Sequence, residues 1–166
     1  MMERKGTVLW ALFKTAVFTL VVPGSVGVLI PRFVLLDTGG TYRLPAAEWR
    51  WIGLVPLVAG ACTYFKCAWD FAVTGLGTPA PMDMPRRLVA KGLYRFLRNP
   101  MYMGVASFVV GQAILFGSVA VGVYIVCVWL ICHLFVVFYE EPTLRRKFGA
   151  EYEEYCRRVP RWFPRF

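Results

Sequence analysis

From residue 101 to residue 139 the chain runs without a single Lys, Arg, Asp or Glu. A soluble core does not need so long an uncharged stretch, but a bilayer does. About 20 consecutive apolar residues cross its hydrocarbon, so this run holds two crossings joined by a tight turn. Gly117-Ser118 near its middle supplies that turn, and each arm is then only just long enough to span. Two more apolar runs lie upstream. Residues 7–30 are interrupted only by Lys14, near enough to one end to snorkel. Pro23-Gly24 predicts a kink there, which neighbouring helices can support. Residues 51–73 form the other run, with Lys66 and Asp70 spaced i, i+4 in its last turns, where they can pair. The opening residues 1–5 and the run after them look briefly like a signal peptide. The run outlasts a signal h-region and lacks a small-residue cleavage site, so it reads as a retained span. The expected fold is all-α: a single domain over residues 1–166, built as a membrane bundle of about four transmembrane helices, the last two forming a hairpin.

Charge placement orients the bundle. Only 17% of the residues are charged, against about 25% in soluble domains. Lys and Arg cluster before the first span, between the second and third, and after the fourth: fourteen lie on that side and three on the other. The positive-inside rule therefore places both termini in the cytoplasm. The formal net charge of +9 is accounted for by contact with anionic headgroups, and nucleic acid is not expected as a partner. Of five cysteines, Cys62/Cys67 and Cys127/Cys132 are each five apart, which is neither zinc-finger nor redox-motif spacing. They read as reduced thiols packing as small hydrophobes, and no metal site is expected.

Two cytoplasmic segments, residues 75–104 and 138–166, carry the specialised residues. Glu140-Glu141 close the uncharged run, and carboxylates at that depth are costly unless paired with a cation or used in function. If the helix ends there, both acids oppose its dipole, which favours a bound cation or cationic ligand; the alternative is a cap balanced by Arg145 and Arg146. His133 lies seven residues before Glu140, on the same face of a regular helix, where it can hydrogen-bond within the bundle or accept a proton. Tyr94 and Tyr102 flank Arg98-Asn99-Pro100, as interface belt residues or as parts of a site. Gly75-Leu76-Gly77 follows no strand, so no dinucleotide fold is implied. The basic residues of the C-terminal tail are read mostly as headgroup contacts.

Taken in order, these residues resemble the isoprenylcysteine carboxyl methyltransferase and phospholipid N-methyltransferase superfamily. Its hallmark is a G-x-Y-x-x-x-R-(H/N)-P-x-Y-x-G block, a helical hairpin, a Glu pair, and a Phe-Gly-x-x-Tyr-x-x-Tyr-x-x-x-Val-Pro tail. The chain supplies Gly92, Tyr94, Arg98, Asn99, Pro100, Tyr102 and Gly104, then Glu140-Glu141, then Phe148-Gly149, Tyr152, Tyr155 and Val159-Pro160. The likeness covers about residues 71–164. The stretch at residues 77–81 is similar to bacterial members, which implies a bacterial inner membrane. Asn99 stands where the isoprenylcysteine branch has histidine, and Val136 where it places a substrate-binding arginine. Asn-Pro-Met-Tyr and Tyr-Glu-Glu-Pro are similar to the phospholipid branch.

The resemblance implies an integral membrane methyltransferase that uses S-adenosylmethionine, bound at the cytoplasmic helix ends by Arg86, Arg87, Leu88, Val89, Tyr94, Asn99, Pro100, Met101, Tyr102, Glu140 and Glu141. The cofactor's sulfonium suits aromatic faces, and its amino and ribose groups suit a carboxylate. The implied acceptor is a lipid-like or membrane-delivered molecule methylated on a carboxylate or an amine. A carboxylate needs no general base, whereas an amine must first lose a proton, which makes Tyr102 and Glu141 the candidate catalytic residues, with His133 behind them. Two other classes stay open: a membrane sterol-reductase-like enzyme using a nicotinamide cofactor, and a non-catalytic scaffold.

Overall fold

The computed structural model describes residues 2–37, 44, 48–75 and 88–163. Helix α1 (Met2–Gly24) passes through a π-helical turn, Ser25–Leu29, into α2 (Ile30–Asp37). A 3-10 turn, Glu48–Gly53, leads into α3 (Leu54–Asp70), which ends in a second π turn, Phe71–Gly75. A short 3-10 turn, Gly92–Arg95, precedes the hairpin of α4 (Pro100–Phe116) and α5 (Val119–Phe135). A third π turn, Val136–Glu140, then carries α5 directly into α6 (Glu141–Phe148), and α7 (Ala150–Arg158) follows. Among the described residues three helical stretches are long and apolar enough to cross a membrane, Leu9–Asp37, Glu48–Val73 and Val119–Phe148, with Pro100–Phe116 a shorter apolar helix. The result is an all-α membrane bundle.

The hairpin turn follows from its residues. Gly117 adopts φ +58°, a left-handed conformation that glycine takes without a Cβ penalty. The Ser118 N–H then reaches back to Ala113 O at 2.9 Å, capping α4. The Ser118 side chain accepts the Val121 N–H at 3.3 Å and starts α5.

The first span runs seven residues past the expected end at Ile30, so Arg32 belongs to a helix and not to a loop. The irregularity predicted at Pro23-Gly24 takes the form of the π turn just after it. Its physical reason is Pro31, which has no N–H to donate to the carbonyls one turn earlier. Those carbonyls are satisfied from other helices: Gln112 Nε2 donates to Gly27 O at 2.7 Å and Tyr124 OH to Val26 O at 2.8 Å. Inside a bilayer an unpaired carbonyl has no water to turn to, so these two side chains hold the first span against the hairpin.

Helices α3 and α4 make the most extensive pairing, because glycines let the backbones close. A Cβ on Gly111 would sit 2.5 Å from Leu57 N and 2.7 Å from Gly53 O; one on Gly104 would sit 2.9 Å from Tyr64 N. Small residues at such crossings are how membrane helices gain van der Waals contact without a hydrophobic driving force. Lys66 and Asp70 pair at 2.5 Å as the i, i+4 spacing predicts. Large apolar side chains point outward all round the bundle, Leu20 and Phe138 three-quarters exposed, as a lipid-facing surface requires.

Candidate functional site

The Glu pair does not end a helix, which corrects the expectation built on the helix dipole. The chain stays helical from Val119 to Phe148. Pro142 lacks an N–H, and the turn ahead of it widens so that the Glu141 N–H bonds Val136 O, five residues back. The wide turn brings both consecutive glutamates onto the inner face beside Val136. It also breaks the seven-residue register that would align His133 with Glu140: the cavity described below is lined by Glu140 and not by His133.

The two acids have different partners. Glu141 is buried; its Oε1 accepts from Arg98 Nη1 at 2.9 Å and Arg161 Nε at 2.6 Å, and its Oε2 from Arg161 Nη2 at 3.0 Å. One carboxylate thus takes up two guanidinium groups, one of them bidentate. Pairing with Glu141 raises Arg161 above the ordinary guanidinium range, which keeps it charged. Glu140 receives one proton donor among the described residues, Tyr102 OH, at 2.9 Å from its Oε2.

These groups lie at one end of a cavity of about 180 Å³. Leu88, Val89, Tyr94, Asn99, Met101, Tyr102, Glu140 and Glu141 all line it, with Arg98, Tyr139, Tyr152 and Tyr155. Pro100 is fully buried just behind, at the first turn of α4, where its missing N–H is harmless. Arg86 and Arg87, the stretch 77–81 and most of the Gly75-to-Gly77 motif lie outside the described residues. The other end of the cavity is apolar: Phe18, Val22 and Val26 from the first span face Ile125, Val128 and Trp129 of α5. Each π turn contributes to the lining, through Val26, Phe71 and the Val136–Glu140 group. Such turns re-aim side chains within a helix and cluster at functional sites.

The polar end is assembled from distant segments. Gly92 at φ +59° opens the 3-10 turn that buries Tyr94. Tyr155 OH donates to Tyr94 O at 2.7 Å, tying α7 to that turn. Burial holds the phenols of Tyr94, Tyr152 and Tyr155 above their ordinary range, so they stay protonated donors. After α7 the chain folds back as a strap: Arg98 N–H donates to Pro160 O at 2.9 Å, and Asn99 Nδ2 to Arg161 O at 3.2 Å. The basic tail is therefore not all headgroup contact, since Arg161 points inward. Sequence reading missed Arg161 and Trp162, and the first-span residues on the apolar wall. Nothing in a lone sequence separates Arg161 from its exposed neighbours Arg157 and Arg158, which pair with Glu154.

His133 takes a hydrogen bond from Trp162 Nε1 at 2.9 Å and stacks on Trp129 with ring centroids 5.4 Å apart. It does not line the cavity. Among the described residues no group of three or more potential ligands could hold a metal ion.

Comparison with known proteins agrees with this architecture. An Arabidopsis thaliana protein-S-isoprenylcysteine O-methyltransferase B is 36% identical over 81 residues, covering 47% of this chain and 40% of that protein. A probable protein-S-isoprenylcysteine O-methyltransferase from Oryza sativa subsp. indica is 34% identical over 79 residues, 47% of this chain and 41% of that protein. The matched stretch thus spans about two-fifths of these relatives. The family model described as phospholipid methyltransferase matches residues 49–151, which takes in α3, the hairpin, the Glu pair and α6. The chain belongs to the phospholipid methyltransferase family.

Proposed function

We propose that this protein is an S-adenosylmethionine-dependent methyltransferase acting on a lipid-like or membrane-delivered acceptor. We further propose that both termini, and the polar end of the cavity, face the cytoplasm. The observation that carries the reading is the Tyr102–Glu140 pair on the wall of a cavity whose lining combines carboxylates and tyrosine hydroxyls with a wholly apolar stretch. A donor that is soluble and an acceptor that is lipid-like need such a mixed site.

The residues fit the cofactor. Glu140 has accepting capacity beyond its bond from Tyr102, which suits an amino or ribose donor. Tyr94, Tyr102 and Tyr139 offer aromatic faces for a cation. Leu88, Val89 and Met101 would pack the remainder. When bound, the cofactor supplies an electrophilic methyl group. The chain aligns the reactants in a cavity that excludes water, which is where much of the rate of a two-reactant displacement comes from. The protonated Tyr102 hydroxyl fixes one oxygen of Glu140. Glu141, held by Arg98 and Arg161, acts through position and charge and not as a free base. An amine acceptor would pass its proton toward Glu140; a carboxylate acceptor requires no such step.

Isothermal titration in detergent tests the cofactor. Micromolar-range heat with S-adenosylmethionine that disappears in Glu140→Ala is expected. No binding by the wild type refutes the reading, and binding of a nicotinamide cofactor instead would replace it with the reductase class. Incubation with labelled donor and total membrane lipid identifies the acceptor, as label in an amine headgroup or in a carboxyl ester.

A further inference from the structure

The strap after α7 ends in a side chain that touches the site only from behind. Trp162 is buried and is absent from the cavity lining. Its indole N–H donates to His133 Nδ1, and its ring lies edge-on to Tyr102 with centroids 6.3 Å apart and planes at 74°. It also leans on Trp129, 5.9 Å away. Tyr102 and Trp129 both line the cavity; His133 and Trp162 form the layer beneath them. The backbone leading to Trp162 is pinned twice, at Pro160 O and Arg161 O, and the Arg161 side chain is locked on Glu141.

We infer that Trp162 is a positioning residue: through its bond to His133 and its edge contact it fixes the Tyr102 ring so that the hydroxyl meets Glu140. His133 then serves as an anchor for the strap and not as a proton carrier, because the nitrogen that accepts from the indole must be unprotonated. The geometry supports this over simple packing. Any nearby carbonyl could satisfy a buried indole N–H, whereas here the acceptor is the ring of the one histidine of the chain, itself stacked on Trp129. A buried indole N–H left without a partner is unfavourable, so the two side chains hold each other's rotamers. The inference rests on the methyltransferase reading, since its consequence is for turnover.

The test uses the full chain in detergent, with 15N-labelled tryptophan and 13C-labelled tyrosine, and needs no ligand for its first half. The Trp162 indole resonance, assigned by its loss in Trp162→Phe, is expected to shift in His133→Phe. The Tyr102 ring resonance is expected to shift in Trp162→Phe. If either stays unmoved, the inference is overturned. The second half is a kinetic cycle, run with labelled S-adenosylmethionine as donor and saturating total membrane lipid as acceptor. Trp162→Phe is expected to lower kcat by roughly tenfold or more, as a displacement well under 1 Å does when alignment matters, with KM for the donor changed less than about twofold. In a Tyr102→Phe background the same substitution is expected to have almost no further effect, because the hydroxyl through which it acts is gone. Losses that multiply in the double variant would show a merely structural role. Trp162→Phe keeps an aromatic ring in the strap, so the cycle survives even if Trp162→Ala fails to fold. A wild type that transfers no methyl group would refute the proposed function, while the resonances still decide the strap.

Discussion

Glu140 and Glu141 are neighbours in sequence, yet their removal should have opposite consequences. In Glu141→Gln the shape is kept and the charge is lost, leaving two guanidinium groups without a counter-ion. Removing one partner of a buried pair costs about 3–5 kcal/mol. Arg161 is 32% exposed and can turn to water, but Arg98 is only 12% exposed and its buried Nε already lacks a partner. The lower figure, about 3 kcal/mol, is therefore expected. At about 2–4 °C per kcal/mol for a chain of this size, Glu141→Gln should melt roughly 6–12 °C below wild type by intrinsic fluorescence in one fixed detergent. Glu140→Gln keeps an amide oxygen for the Tyr102 hydroxyl and strips no guanidinium of its counter-ion, so it should lose no more than about 1 kcal/mol. Its S-adenosylmethionine heat in titration should nonetheless collapse. A Glu141→Gln melt within about 2 °C of wild type, or a Glu140→Gln melt that falls as far as that of Glu141→Gln, would refute the division of roles.

Three further outcomes are expected. Gly111→Ala places a methyl against backbone atoms of Leu57 and Gly53 that cannot swing aside; a loss of about 1–3 kcal/mol should appear as a lower melting temperature. The raised phenols of Tyr94, Tyr152 and Tyr155 mean that the unfolded chain ionises first. Stability is then complete below the unfolded tyrosine pKa of about 10 and should fall as pH climbs past it, in a melt series from pH 8 to 11. A reporter that fluoresces only in the cytoplasm, fused after Phe166, should be bright; a dark fusion would overturn the proposed orientation.

The spans were legible because a run without charge has few readings, and Gly117-Ser118 marked its turn unambiguously. The Lys66–Asp70 pair was legible because helical spacing alone brings the two groups together. The continuation of α5 past the Glu pair was not, since acids after an apolar run look like an ending. Pro142 held the available signal: a proline without a helix break asks for a wider turn behind it. The residues of the Gly92-to-Gly104 block and the Glu pair were legible as a set through family resemblance. Their separate tasks were not, because adjacent glutamates are chemically identical until Arg98, Arg161 and Tyr102 are brought to them from tens of residues away.

The widened turn at Val136–Glu140 makes the site unusually sensitive to chain length. Most loops absorb an inserted or deleted residue, but here a single residue of register decides which carboxylate is neutralised and which is left to work. Deleting one residue within that turn would carry the following helix round by about 100° and move the surviving acids off both sets of partners at once. In this chain the cavity wall can change by substitution, but the number of residues between the start of α5 and the Glu pair cannot change without losing the site. The count of residues is itself a functional element.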